Sequence, residues 1–230
     1  MPTILAVETS TELASVALLQ DERLLVRDTA SVQTHSQNLL PMVQAMLAEA
    51  GIRLNDCDAI AFGAGPGSFT GVRTACGVVQ GMAFGANLRV TPIGTLDAMA
   101  EACREKTGAP DVLCILDARM GEVYWAQFRH GADGWQTVIA PRLSSPADIA
   151  PEGRVLACGN GLSACADAFA GRDFLDGAQP GIMPHAAQVA ALSRLAVARG
   201  ETLPASAAQP IYLRNKVALT TAERLAGKAA

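Results

Sequence analysis

The stretch GAGPGSFTGVR, residues 63–73, sets four glycines, a proline and two hydroxyl residues between an apolar run and a helix-like one. A loop of this kind at a helix N-terminus presents backbone N–H groups and the positive end of the helix dipole, the chemistry that holds a phosphate. The spacing argues against it. A Walker loop requires G-x-x-x-x-G-K-[ST], and residues 63–73 contain no lysine. A dinucleotide loop requires G-x-G-x-x-G, whereas these glycines stand at 63, 65, 67 and 71. The structural alternative is that glycine supplies tight-turn angles, Pro66 stiffens the bend, and Ser68 or Thr70 caps the following helix.

Other chemistry is thin. His35, His130 and His185 lack the HxxxH or HExxH companions of a metal site. Ser68 sits in a turn, but G-P-G-S-F-T-G is not the G-x-S-x-G of an exposed nucleophile, and no histidine is arranged to serve it. DARMGEVYW, 117–125, gathers Asp117, Arg119 and Glu122 at a tight turn. They form either a local ion-pair network or a contact for a ligand or partner. Gly77, Gly81 and Gly85 recur every fourth residue on one helix face, with Ala75, Ala83 and Ala86 nearby. Each interior helix glycine costs about 1 kcal/mol relative to alanine, so the stripe needs an offsetting gain. Close approach of another helix is the usual one, either the 36–50 helix of this chain or a helix of a partner.

The elements that position these residues follow from periodicity. Residues 3–8, 13–20 and 23–28 read as three antiparallel strands, 36–50 as a helix closed by Gly51, 59–64 as a buried strand, and about 70–85 as a second helix. The order β-β-β-α-β-α then recurs. Strands at 112–118, 121–129 and 135–140 precede a short helix near 146–150, a strand at 154–159, the turn Gly159-Asn160-Gly161 and a helix from about 162. An acidic residue, Glu8 or Asp117, ends the first strand of each half. These features predict a duplicated α/β lobe with a cleft between the copies, bridged by a helix near 94–107, with another helix near 186–199. The expected division is 1–107 and 108–230, the final segment packing back on the first lobe.

Composition bounds the function. The 230 residues are 50% hydrophobic and 17% charged, enough for a sizeable core. Apolar runs fall short of the ~20 residues of a membrane span, and the start lacks the pattern of a secretory signal. The six cysteines include no CxxC pair, which suits reduced buried thiols and a cytoplasmic location. A net charge of −4 disfavours nucleic-acid binding by this chain alone; only Arg214, Lys216, Arg224 and Lys228 form a basic end.

Five blocks carry a family resemblance: ILAVETST (4–11), HSQNLLP (35–41), GPGSFTGVR (65–73), DARMGEVYWAQF (117–128) and PIYLRNKVA (210–218). Together and in this order they resemble the bacterial tRNA threonylcarbamoyladenosine biosynthesis protein family TsaB, formerly YeaZ. The resemblance implies two ribonuclease-H-like lobes of the acetate- and sugar-kinase, chaperone and actin superfamily. It implies a non-catalytic partner of TsaD, the subunit that transfers the threonylcarbamoyl group to tRNA, with the ATPase TsaE completing the complex. The histidine pair that binds metal in TsaD is absent. tRNA would be reached through the complex, and a homodimer could form when the partner is missing. The family dimer uses helices placed here at about 35–50 and 70–85, which nominates Leu39, Leu40, Val43, Met46, Leu47, Val72, Arg73, Gly77, Gly81 and Gly85. No cofactor is expected in this subunit; Glu8, Ser10, Gly67 and Ser68 are the residues that would meet one. Glu8 stands where the family generally has aspartate. The competing expectation is an enzyme working in the cleft, a metallopeptidase or a small-molecule kinase.

Overall fold

A computed structural model describes residues 1–29 and 35–214, with side chains from Gln37 onward in the second span. β1 (Ile4–Glu8), β2 (Ala14–Gln20) and β3 (Arg23–Thr29) form an antiparallel meander, and α1 (His35–Ala50) follows. β4 (Ala59–Gly65) runs parallel to β1, α2 (Phe69–Ala86) returns, and β5 (Arg89–Gly94) pairs parallel to β4. α3 (Thr95–Thr107) leads to the second sheet, in which β6 (Asp111–Asp117), β7 (Val123–Gly131) and β8 (Gly134–Ser144) are antiparallel and β9 (Leu156–Cys158) is parallel to β6. Two short helices, α4 (Gly161–Ala164) and α5 (Ala166–Phe169), then α6 (Ala186–Ala198) and the two-residue β10 (Leu203–Pro204), complete the described elements.

The first sheet has the order β10-β5-β4-β1-β2-β3 and the second β8-β7-β6-β9. The run β3-β2-β1-β4 is therefore repeated as β8-β7-β6-β9, the mixed α/β arrangement of paired ribonuclease-H-like lobes. Side-chain parity builds the layers. In β1, Leu5 and Val7 face α1 and α2 with Leu39, Val43 and Met46, while Ile4 and Ala6 face α6 with Val189 and Ala190. In β6, Val112, Cys114 and Leu116 pack under α3 with Leu96 and Met99, and Leu113 and Ile115 face Leu162, Phe169 and Phe174. α3 thus lies on the second sheet and α6 on the first. All six cysteines are free thiols and five are buried.

Two prolines explain the largest differences from the sequence reading. Pro92 hides β5 from periodicity, yet β10 pairs only with Arg89 and Val90, so Pro92 faces no ladder partner on that side. β8 runs on past residue 140 because Pro141 falls within the register shift between the Trp125–Arg142 and Gln127–Ile139 pairs, on an edge strand. The expected helix from 162 is broken into two short pieces, and the one near 146–150 is a single 3₁₀ turn, Pro146–Asp148.

Candidate functional site

Between the lobes lies a cleft of about 350 Å³. Ser10, from the turn after β1, and Gly67 and Ser68, from the loop before α2, face Asp117, the last residue of β6, and Arg119, from the turn that follows it. The equivalent ends of the two repeated units thus converge, as the duplication requires. Glu122 lies outside this lining.

The glycine loop is fixed by close approach to the β1–β2 turn. Ser68 N donates to Ser10 O at 2.7 Å, and Thr9 Oγ1 donates to Gly71 O at 2.8 Å. A Cβ at Gly67 would stand 2.4 Å from Ser10 O, and one at Gly71 2.0 Å from Thr9 O. Neither position has room for a side chain. Ser68 caps α2, its Oγ accepting from Gly71 N at 3.3 Å. The loop's composition is accounted for by packing and capping.

The charged groups of the cleft are largely engaged with one another. Arg119 Nη1 lies 3.0 Å from Asp117 Oδ2, and Asp117 Oδ1 accepts from the Arg119 amide at 2.8 Å. Glu122 turns away to pair with Arg214 at 2.7 Å. Sequence reasoning missed two contributors. Asn160 Oδ1 accepts from Asp117 N at 2.9 Å, and Arg214 Nη2 donates to Ala118 O at 3.0 Å. Asn160 had been visible only as a turn residue, and the partner of Arg214 is 96 positions away. The segment before Arg214 also straps the first lobe. Ile211 N donates to Ala64 O at 2.7 Å, and Tyr212 accepts from Arg73 Nε at 2.6 Å while Arg73 stacks on Phe69. Of the basic end, Lys216, Arg224 and Lys228 lie outside the described residues, as do 215–218 of the last family block. His185 caps α6 through Nδ1, and His35 has no described side chain. Among the described residues no group of three or more His, Cys, Asp or Glu side chains is placed to hold a metal ion.

Glu8, the last residue of β1, is fully buried and does not line the cleft, contrary to its nomination as a residue that would meet a cofactor. Oε1 accepts from Ser10 N at 2.5 Å, while Oε2 has no hydrogen-bond partner among the described residues. Burial raises its carboxyl above the ordinary glutamate value, so the fold favours the protonated form. The stability this group contributes is whole below an unfolded value of about 4.5 and is lost as pH rises through the higher folded value. Glu8→Gln keeps the shape and removes the titration. Over that window the parent chain is expected to lose about 1.4 kcal/mol per pH unit more than the variant. Urea unfolding at roughly pH 4, 6 and 8 measures the difference; parallel curves would show that Glu8 is not held protonated.

The helices α1 and α2 present two faces. Leu39, Val43, Met46 and Val72 are turned into the core and are not surface residues, contrary to their nomination as partner contacts. Helical periodicity marks an apolar stripe without telling a core from an interface. Leu40, Arg73, Gly77, Gly81 and Gly85 are exposed, and Leu47 is half-buried. A Cβ at Gly77, Gly81 or Gly85 would meet nothing within 4 Å, so α1 is not the helix that the stripe accommodates. Beside the glycines Phe84 is 84% exposed.

Comparison with known proteins places this architecture. Residues 28–175 match the TsaD family, described as tRNA N6-adenosine threonylcarbamoyltransferase. The chain is 38% identical over 223 residues to the tRNA threonylcarbamoyladenosine biosynthesis protein TsaB of Escherichia coli, covering 94% of this chain and 96% of that one. It is 39% identical over 227 residues to the TsaB of Haemophilus influenzae, covering 94% of each. The solved structure of YeaZ from Pseudomonas aeruginosa superposes with a TM-score of 0.82 at 36% identity, covering 93% of this chain and all of that one.

Proposed function

The chain belongs to the TsaB family, and from that premise we propose that it is a non-catalytic accessory subunit in tRNA N6-threonylcarbamoyladenosine synthesis, pairing with a TsaD-type transferase and activating it. A TsaE-type ATPase and tRNA join through that transferase, and the site of action is cytoplasmic. ATP and metal belong to the partner subunits.

The observation that carries the reading is the outer face of α2. Three glycines at four-residue spacing stand open beside the exposed ring of Phe84. In an exposed helix each glycine costs about 1 kcal/mol relative to alanine. A partner helix seated against the bare backbone supplies the gain, and Phe84 and Leu40 supply apolar area to bury. The engaged charges of the cleft support an accessory role over chemistry there. Without the transferase the same face pairs with a second copy.

Light scattering on the chain, the transferase and their mixture tests this. One chain of each in a complex, formed at the expense of any homodimer, is expected. A homodimer that persists beside excess transferase contradicts the shared surface.

A further inference from the structure

A second cavity, of about 500 Å³, opens where β5, α3, the β7–β8 turn and the end of α6 meet. It shares no lining residue with the inter-lobe cleft. Its volume lies in the range of sites for small molecules, ~300–1,000 Å³.

Two polar side chains of its lining have capacity for a ligand, Thr91 without a hydrogen-bond partner among the described residues and Asp97 bonded only to its own backbone amide. Thr91 is 1% exposed and its hydroxyl has no hydrogen-bond partner among the described residues. Strand parity turns Thr91, like Ile93, to the α6 side of the sheet, where the cavity lies. Asp97, in the first turn of α3, makes no ion pair or hydrogen bond to another residue's side chain among the described residues. Its Oδ2 occupies space that Gly94 leaves free, since a Cβ there would stand 2.0 Å away.

The walls are apolar. Trp135 forms one side, with its indole N–H already donated to Glu101 at 2.6 Å, and Leu192 and Ala196 form the other. At the rim Leu195 is 51% and Leu203 37% exposed. The charged groups facing Asp97 are Asp133 from the β7–β8 turn, Arg199 at the end of α6 and Glu201 just beyond it. With Asp97 they make the lining acidic, which repels an anion and attracts a cation.

We propose that this cavity binds a small organic amine. Its ammonium group pairs with Asp97 and donates to the Thr91 hydroxyl, and its apolar arm lies between Trp135 and the α6 side chains. Burial raises the free Asp97 carboxyl to about 6. The protonated acid has no charge to offer, so affinity rises as pH passes upward through that value and levels off above it.

Titration calorimetry of the full chain with 2-phenylethylamine, and with neutral 2-phenylethanol as control, tests the site. The amine is expected to bind with Kd on the order of 0.1–1 mM at neutral pH, and the alcohol about tenfold more weakly. Asp97→Asn removes the amine's advantage. Should that variant misfold, Leu195→Trp, placed at the exposed rim, closes the cavity without entering the core and is expected to abolish binding of both. Absence of heat with the amine, an alcohol that binds as tightly, unchanged amine affinity in folded Asp97→Asn, or retained binding in Leu195→Trp each overturns the proposal.

Discussion

Gly81→Leu is expected to leave the chain folded, to raise its stability by up to about 1 kcal/mol, and to abolish pairing with a TsaD-type transferase. The two effects have opposite signs for one reason. A Cβ at Gly81 meets nothing within 4 Å, so the leucine enters open solvent and replaces a poor helix former with a good one. The same side chain stands on the face proposed for close approach of a partner helix. An association loss of about 100-fold or more is expected, with Gly81→Ala intermediate. Thermal melting reads the first effect and calorimetric titration with the transferase the second. A stable Gly81→Leu chain with undiminished affinity would remove α2's outer face from the interface.

Gly71→Ala is expected to do the reverse, damaging the fold before any partner is added. Its Cβ would stand 2.0 Å from Thr9 O, and that oxygen belongs to backbone buried beside β1. The loop cannot retreat without breaking the hydrogen bond from Thr9 Oγ1 to Gly71 O and the neighbouring one from Ser68 N to Ser10 O. A loss of roughly 3 kcal/mol or more is expected in urea unfolding. A cost below about 1 kcal/mol would mean that the loop is not pinned to the β1–β2 turn. The contrast between Gly71 and Gly81, ten residues apart on one helix, separates what glycine does for the fold from what it does for assembly.

That contrast marks where the sequence was legible. Both glycines break the usual rules of helix composition, and composition alone shows that each needs a reason. Which reason applies depends on what lies opposite, and for Gly71 that is the backbone of Thr9, 62 positions away. The strands that alternate or run apolar were readable, as was the repeat of the β-β-β-α-β order; that the fourth strand of each half pairs parallel to the first is seen only in the fold. β5 was not, because a proline inside a strand is tolerated only where a ladder partner is missing, and the partner's shortness is a tertiary fact. At the cleft, Ser10, Gly67, Ser68, Asp117 and Arg119 were identified and do converge. Asn160 and Arg214 were not, since their contacts join distant segments. On α1 the family resemblance nominated Leu39, Val43 and Met46 as an interface, whereas they are core; hydrophobic spacing could not have separated the two, since it reports that a face is covered and not by what.

The measurement closest to the central claim is a drop-out reconstitution. Unmodified tRNA, threonylcarbamoyl-adenylate, ATP, a TsaD-type transferase and a TsaE-type ATPase are incubated with or without this chain, and threonylcarbamoyladenosine is measured by mass spectrometry. The accessory-subunit account predicts modification only when the chain is present, none from the chain alone, and loss of the stimulation with Gly81→Leu. Equal modification without the chain would contradict the account.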